Sequence, residues 1–462
     1  MGRLRQLAER TPPERERYLD LLRALAIIMV VLGHWTVTVI EYDPAGRPNG
    51  HSALPALPWA YPVTWLAQVM PVFFLVGGYA NAASLHSFRA RGGDGAGWLL
   101  DRSARLVRPT TALLLVLTAG ALAASLLGTT PTEVRTVVWF ATIPLWFLAA
   151  YLVVVPLTPP MYALHRRLGL AVPLGLVVLV AVGDLARLAG AETLGFGNYL
   201  FGWLAVHQLG FAWYDARTGQ RPRRRRLPTG RPAALALLAV GLAGTVLLTG
   251  PGPYPVSMLN IPGERLDNAG PPSLALLTLT TAQLGLILLL REPAERWLHR
   301  RRPWQAVIAV NTVVLTMFLW HLTAAILLVG ALDAVHLLPT PPAGSAAWLA
   351  WRLPWALLLA TVLTGLVAVF GPIEARAVRR HRPAPGRTAV VPGALVVAGY
   401  AALVTALVLN SQTAKAAPEA LGMPVAALLA YLAGAGVLWL LRARHGGRAA
   451  GHGDPTAGPE RR

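Results

Sequence analysis

Residues 20–34 read Asp20-Leu-Leu-Arg23-Ala-Leu-Ala-Ile-Ile-Met-Val-Val-Leu-Gly-His34 and run on through Trp35-Thr-Val-Thr-Val-Ile to Glu41. The stretch from 20 to 40 is apolar for about the 20 residues that a bilayer crossing needs, yet it carries an arginine and a histidine. An ionisable side chain at membrane depth costs about 2.5–3.5 kcal/mol on insertion scales, so it has to face a bundle interior or a wet cavity. The segment therefore predicts a spanning helix in a larger bundle, with one polar stripe. Arg23 to His34 is a step of 11 residues, about 20° past three full turns and about 16 Å along the axis. The 18-residue step from Arg23 to Glu41 is about five whole turns, which puts Glu41 on the same stripe. Asp20, three residues before Arg23, is placed to pair with it. Arg23 also reads as an interfacial snorkelling residue and Glu41 as a boundary residue. His34, about 21 Å from Asp20 along the helix, is too deep to snorkel and needs a polar partner or a chemical role.

The rest of the chain agrees with this opening. Of 462 residues, 55% are hydrophobic and 13% charged, against about 25% charged in soluble domains. Twelve candidate spans follow: 20–40, 62–85, 107–127, 136–156, 170–190, 196–213, 233–250, 272–290, 306–330, 346–371, 390–409 and 423–441. The fold class is all-α, a polytopic integral membrane helical bundle of about 12 transmembrane helices, a ten-helix core plus two C-terminal ones. The first span is too long for a signal-peptide core and ends at Glu41-Tyr42-Asp43 without a small-residue cleavage site. The organisation expected is a basic cytoplasmic segment at 1–19, a membrane domain at 20–375, a basic linker at 376–388, two more spans within 389–441 and a disordered tail at 442–462. The longest outer connections are 41–61 and 251–271, the second too irregular for a strand or helix and expected to fold over the outer mouth.

Forty arginines and one lysine, Lys415, stand against 21 acidic residues, a net charge of +20. The cations punctuate apolar stretches instead of gathering on one polar face, which argues for membrane topology and against nucleic acid. With both ends cytoplasmic, the inner segments hold 34 of the basic residues and the outer ones six, as the positive-inside rule requires. There is no cysteine, which excludes disulfides, thiolate metal sites and acyl transfer through an enzyme thioester.

Asp101-Arg-Ser-Ala-Arg-Leu-Val-Arg-Pro places Arg102, Arg105 and Arg108 at three-residue steps near the cytoplasmic end of the third helix. Three forked guanidiniums suit a polyanion such as a pyrophosphate; an ordinary positive-inside anchor looks the same. His321 is a second deep histidine, and His207, Gln208, Gln68, Asn81, Gln283 and Asn311 read as interhelical hydrogen bonders. Gly77 and Gly78 read as a point of close helix approach. No Walker glycine loop, His-Glu-x-x-His or Gly-x-Ser-x-Gly is present, so ATP-driven transport, zinc hydrolysis and serine hydrolysis lack their usual signatures.

The first helix, an acidic residue with an arginine three on and a histidine eleven after that, resembles the signature of the membrane-bound acyltransferase 3 family. Pro71-Val-Phe-Phe-Leu-Val-Gly-Gly-Tyr79, Arg105-Leu-Val-Arg108, Leu145-Trp-Phe-Leu-Ala-Ala-Tyr151 and Leu319-Trp-His-Leu322 are similar to further motifs of that family. The likeness covers about residues 17 to 375. Gly77 stands where the family commonly has serine, and two extra helices replace the soluble hydrolase-like domain that some members carry. The resemblance implies an enzyme that takes an acyl group from acyl-coenzyme A, acetyl-CoA as the default, and passes it to a carbohydrate or glycosylated acceptor without a metal. It implies His34 and Arg23 as catalytic residues, His34 as general base or transient nucleophile. It also implies that Arg102, Arg105 and Arg108 hold the donor phosphates, with Asp20, Glu41, Trp146 and His321 in supporting places. The expected location is a bacterial plasma membrane. The competing reading is a proton-coupled secondary transporter of six plus six helices, weakened because 233–250 has no ionisable counterpart to Arg23 and His34. A scaffold presenting a lipid-linked sugar is a third.

Overall fold

The structure, a computed structural model, describes residue 11 and residues 15–219, 226–379 and 392–450. The described chain is helical apart from one hairpin and the loops. It forms two compact units: one of residues up to Ser84 with Leu157–Gly371, the other of Leu85–Pro156 with the residues from Pro372 onward. Most of the basic linker expected at 376–388 and the end of the expected tail, 451–462, lie outside the described residues.

The helices are α1 (Arg17–Val37), α2 (Met70–Ala90), α3 (Gly95–Leu126), α4 (Pro131–Thr142), α5 (Leu145–Leu168), α6 (Ala171–Leu188) and α7 (Asn198–Thr218). They continue with α8 (Arg231–Thr249), α9 (Leu274–Leu298), α10 (Arg301–Thr312), α11 (Val314–Ala334), α12 (Ala346–Arg379), α13 (Gly393–Gln412) and α14 (Val425–Ala450). Among the described residues, eleven helices are long and apolar enough to cross a membrane. The expected segment at 196–213 is the helix α7, but it does not reach that hydropathy. Its polar residues explain why: Asn198, His207, Gln208 and Asp215 all lie on it and are buried, along with most of the helix. A helix clad by other helices does not have to offer an apolar surface to lipid.

Two expected spans are broken. The run 136–156 divides into α4 and α5 at Ile143-Pro144, where proline lacks the N–H that an uninterrupted helix needs. The run 306–330 divides into α10 and α11 at Val313, whose φ of −131° leaves helical geometry. α4 starts with a capping box, Thr130 accepting from the Glu133 N–H while the Glu133 carboxylate accepts from the Thr130 N–H. α14 continues past 441 to Ala450.

In the first unit, α2 and α7 touch backbone to backbone. A Cβ added to Gly210 would lie 2.8 Å from the Cα of Gly78, so glycine at both positions is what permits the approach. Phe74 and Trp203 stack beside this contact, ring centres 4.4 Å apart.

α1 passes directly into a hairpin, β1 (Thr38–Tyr42) antiparallel to β2 (Pro48–Ser52), with Ile40 opposite Gly50 and Glu41 opposite Asn49. Asp43 organises the turn by accepting from the N–H groups of Ala45 and Arg47, and the Arg47 N–H leads the causes that hold its carboxyl below the usual range. Tyr42 donates to the Asp333 carboxylate at the end of α11, a bond that pushes its phenol up.

The loop 250–273 has no helix or paired strand, but it is stitched down at both ends. Trp65 donates to Val256 O and Gln68 to Met258 O. Asp184, buried on α6, accepts from Tyr254 OH at 2.9 Å and from the Leu274 N–H at 2.7 Å. Burial and that carboxylate push the Tyr254 phenol up.

Candidate active site

The site grows from α1. At its start Arg23 Nη1 donates to Asp20 Oδ1 at 3.1 Å and to Asn311 Oδ1 at 3.4 Å. Asn311, on α10, returns Nδ2 to the Asp20 carbonyl at 2.8 Å, so a single amide ties α10 to α1. Arg15 holds the second oxygen of Asp20 at 2.7 Å. Asp20 is thus a buried carboxylate between two guanidiniums. Arg23 keeps about a third of its side chain exposed, and its Nε and Nη2 make no hydrogen bond among the described residues.

Three turns further along, His34 meets His321 of α11. The ring centres are 5.0 Å apart, and His34 Nδ1 lies 3.2 Å from His321 Nε2. His34 Nδ1 also lies 3.0 Å from the Val30 carbonyl, and His321 Nδ1 lies 2.6 Å from the Phe318 carbonyl. A carbonyl only accepts, so Nδ1 of each ring carries hydrogen. In the neutral pair, His321 Nε2 is then an acceptor facing the His34 Nδ1–H, and the lone pair of His34 sits on its Nε2. That Nε2 has no protein hydrogen-bond partner among the described residues. Trp35 Nε1 donates to the His321 carbonyl at 3.1 Å, a second tie between α1 and α11. His321 is fully enclosed, while His34 is partly accessible. This arrangement is a base with one face braced and one face open, the form a proton acceptor requires.

Glu41 departs from the expected stripe. α1 ends at Val37, where the β-branched run Thr36-Val-Thr-Val-Ile40 turns extended, so helical phase no longer relates Glu41 to Arg23 and His34. Its side chain is 61% exposed on β1, 3.7 Å from His51.

The other expected residues belong to the second unit. Arg102, Arg105 and Arg108 occur on α3, Arg105 exposed and the other two half-buried, with Arg102 over the Trp98 ring. Trp146 is half-buried in the first turn of α5, edge-on to Phe147. The polar residues expected to tie helices together do so: Asn81 with His207 at 3.1 Å, Gln208 to Met161 O, Gln283 to Gln68 O.

The family model for an acyltransferase domain, of the acyltransferase 3 type, matches residues 16–373. The chain belongs to the acyltransferase 3 family. No curated protein and no solved structure matches it. The acyltransferase domain therefore begins just before Asp20, takes in both histidines and all three α3 arginines, and ends within α12, leaving α13 and α14 beyond it. The protein is a membrane acyltransferase, and membership decides against the transporter reading. Within this acyltransferase, Asn311, Trp35 and Arg15 were the site residues that sequence reasoning did not place. Asn311 stood out only as an amide in an apolar run, and the other two carried no signal.

Proposed function

We propose that this acyltransferase moves a short acyl group, acetyl by default, from acyl-coenzyme A to a hydroxyl of a sugar or glycan-type acceptor, with His34 as general base. The observation that carries the reading is the braced imidazole: carbonyls fix both Nδ1–H groups, and His34 is left with a lone pair on an unpartnered Nε2. The acceptor O–H gives its proton to that Nε2 as its oxygen attacks the thioester carbon. The tetrahedral intermediate collapses, the carbon–sulfur bond breaks, and the coenzyme A thiolate takes the proton back from the imidazolium. While His34 is charged, His321 Nε2 and the Val30 carbonyl both accept its Nδ1–H, so positive charge developing in the transition state meets acceptors already in place. Arg23, half-committed to Asp20, has donors left for an anionic group of the donor, and the α3 arginines supply the cations that three donor phosphates call for. The membrane expected is a bacterial plasma membrane.

His321 acts here as a positioning residue. His321→Ala is expected to lower kcat about 10- to 100-fold with little change in the KM for donor, since it unbraces the base without touching substrate. His321→Gln, whose amide oxygen can accept the same Nδ1–H, is expected to recover most of the loss; a purely packing role would leave both variants equally impaired. The function itself is tested by incubating the purified protein with acetyl-coenzyme A labelled in the acetyl group and a cell-envelope glycan extract. Label appearing in the carbohydrate fraction is the expected result. Label remaining on coenzyme A with every short acyl donor tried contradicts it.

A further inference from the structure

α13 and α14 lie outside the acyltransferase domain, yet both dock on the stretch of α3 that carries the arginines. Tyr400 of α13 donates to the Leu99 carbonyl at 2.9 Å. Tyr431 of α14 donates to the Val107 carbonyl at 3.1 Å and lies 3.3 Å from Thr111 Oγ1. Arg442 follows Tyr431 by 11 residues, about three turns and 20° on, so it continues the stripe of α14 that faces α3. Its Nε and Nη1 are buried in protein and have no hydrogen-bond partner among the described residues. A snorkelling arginine keeps its charged head in water; this one has two of its three nitrogens covered by protein. Arg108 of α3 lies within Coulombic range of Arg442, and Tyr400 lies within Coulombic range of both Arg102 and Arg442. Neither Arg108 nor Arg442 has an ion-pair partner among the described residues. Two like charges thus lie near each other, neither with an ion-pair partner among the described residues, an arrangement that is costly unless an anion joins it. Forked donors carried on two neighbouring helices match phosphate oxygens.

We propose that Arg442 of α14 completes, with Arg108 and Arg102 of α3, a binding site for phosphate groups, and that the phosphates are those of the acyl-coenzyme A donor. The two helices beyond the acyltransferase domain then serve the reaction directly, by carrying a donor-binding cation to α3. The inference rests on the reading of the donor as acyl-coenzyme A. A phosphodiester headgroup of an anionic lipid offers the same chemistry, so the test separates the two.

The full-length protein is reconstituted in nanodiscs of phosphatidylcholine alone or with phosphatidylglycerol, and coenzyme A is titrated into wild type, Arg442→Gln and Arg442→Lys. A charge-assisted bond lost to a phosphate is expected to weaken coenzyme A binding about 10- to 100-fold in Arg442→Gln, with only a few-fold loss in Arg442→Lys, in both lipid mixtures. Thermal unfolding without ligand reports on folding. Arg442→Gln removes an unpartnered buried charge, so its unliganded Tm is expected to hold or rise while the Tm gain from coenzyme A shrinks. A lowered unliganded Tm with an unchanged gain from coenzyme A would mark a structural residue and overturn the proposal. Undiminished coenzyme A binding by Arg442→Gln overturns it as well, and loss of co-purifying phosphatidylglycerol in that variant would assign the site to lipid. If wild type itself binds no coenzyme A, the donor reading falls and this inference falls with it.

Discussion

His34→Ala is expected to abolish acyl transfer while the protein still inserts and folds. A positioned general base contributes about 10²- to 10⁴-fold, and the remaining machinery offers no substitute: His321 has its Nδ1–H committed to the Phe318 carbonyl and is itself fully enclosed. The loss belongs in kcat, since the alanine variant keeps Arg23, Asp20 and Asn311 in their mutual hydrogen bonds. His34→Gln is expected to be as inactive as His34→Ala, because an amide can imitate the hydrogen bond to His321 but cannot take a proton. Steady-state kinetics on nanodisc-reconstituted proteins matched for monodispersity checks both.

Asp184→Ala is expected to produce the largest loss of stability, about 3–5 kcal/mol for removing one partner of a buried charge pair. The carboxylate is 1% exposed and accepts from Arg187 at 3.3 Å, Asn198 at 3.0 Å, Tyr254 at 2.9 Å and the Leu274 N–H at 2.7 Å. Those four partners belong to α6, α7, the loop 250–273 and the first turn of α9, so a single substitution removes the one acceptor that all four share, leaving Arg187 its bond to the Asp267 carbonyl and Asn198 its bond to the Val180 carbonyl. A buried guanidinium is also left without its carboxylate. Asp184→Asn keeps an acceptor and is expected to lose less. Thermal unfolding measures the difference, and limited proteolysis is expected to cut Asp184→Ala first within 250–273.

The membrane class and the phase of Arg23 against His34 were legible because both are local: hydropathy and the 3.6-residue repeat need only neighbouring residues. Glu41 misled because the same repeat was carried four residues past the end of α1; the β-branched run from Thr36 to Ile40 held the contrary signal. Pro144 likewise marked a break that hydropathy alone passes over. The pairing of His34 with His321 joins residues 287 apart, so no local pattern could show it; the Leu319-Trp-His-Leu322 motif singled out His321 but not its partner, and His207 bonds Asn81 instead. α7 was legible as a helix although its composition is too polar for lipid, since its apolar positions sit among amides that other helices satisfy. Arg442 was hidden in a charge count, where it reads as one more basic residue at the end of the last span.

The central claim is that this acyltransferase transfers from coenzyme A at His34, and the absence of cysteine allows a direct test. Wild type and His34→Ala in nanodiscs are mixed with acetyl-coenzyme A, with and without envelope glycan acceptor, and released thiol is followed with a colorimetric reagent to which the protein contributes no background. Acceptor-dependent thiol release by wild type that disappears in His34→Ala is the predicted result. Wild-type rates in a folded, well-inserted His34→Ala protein would contradict it.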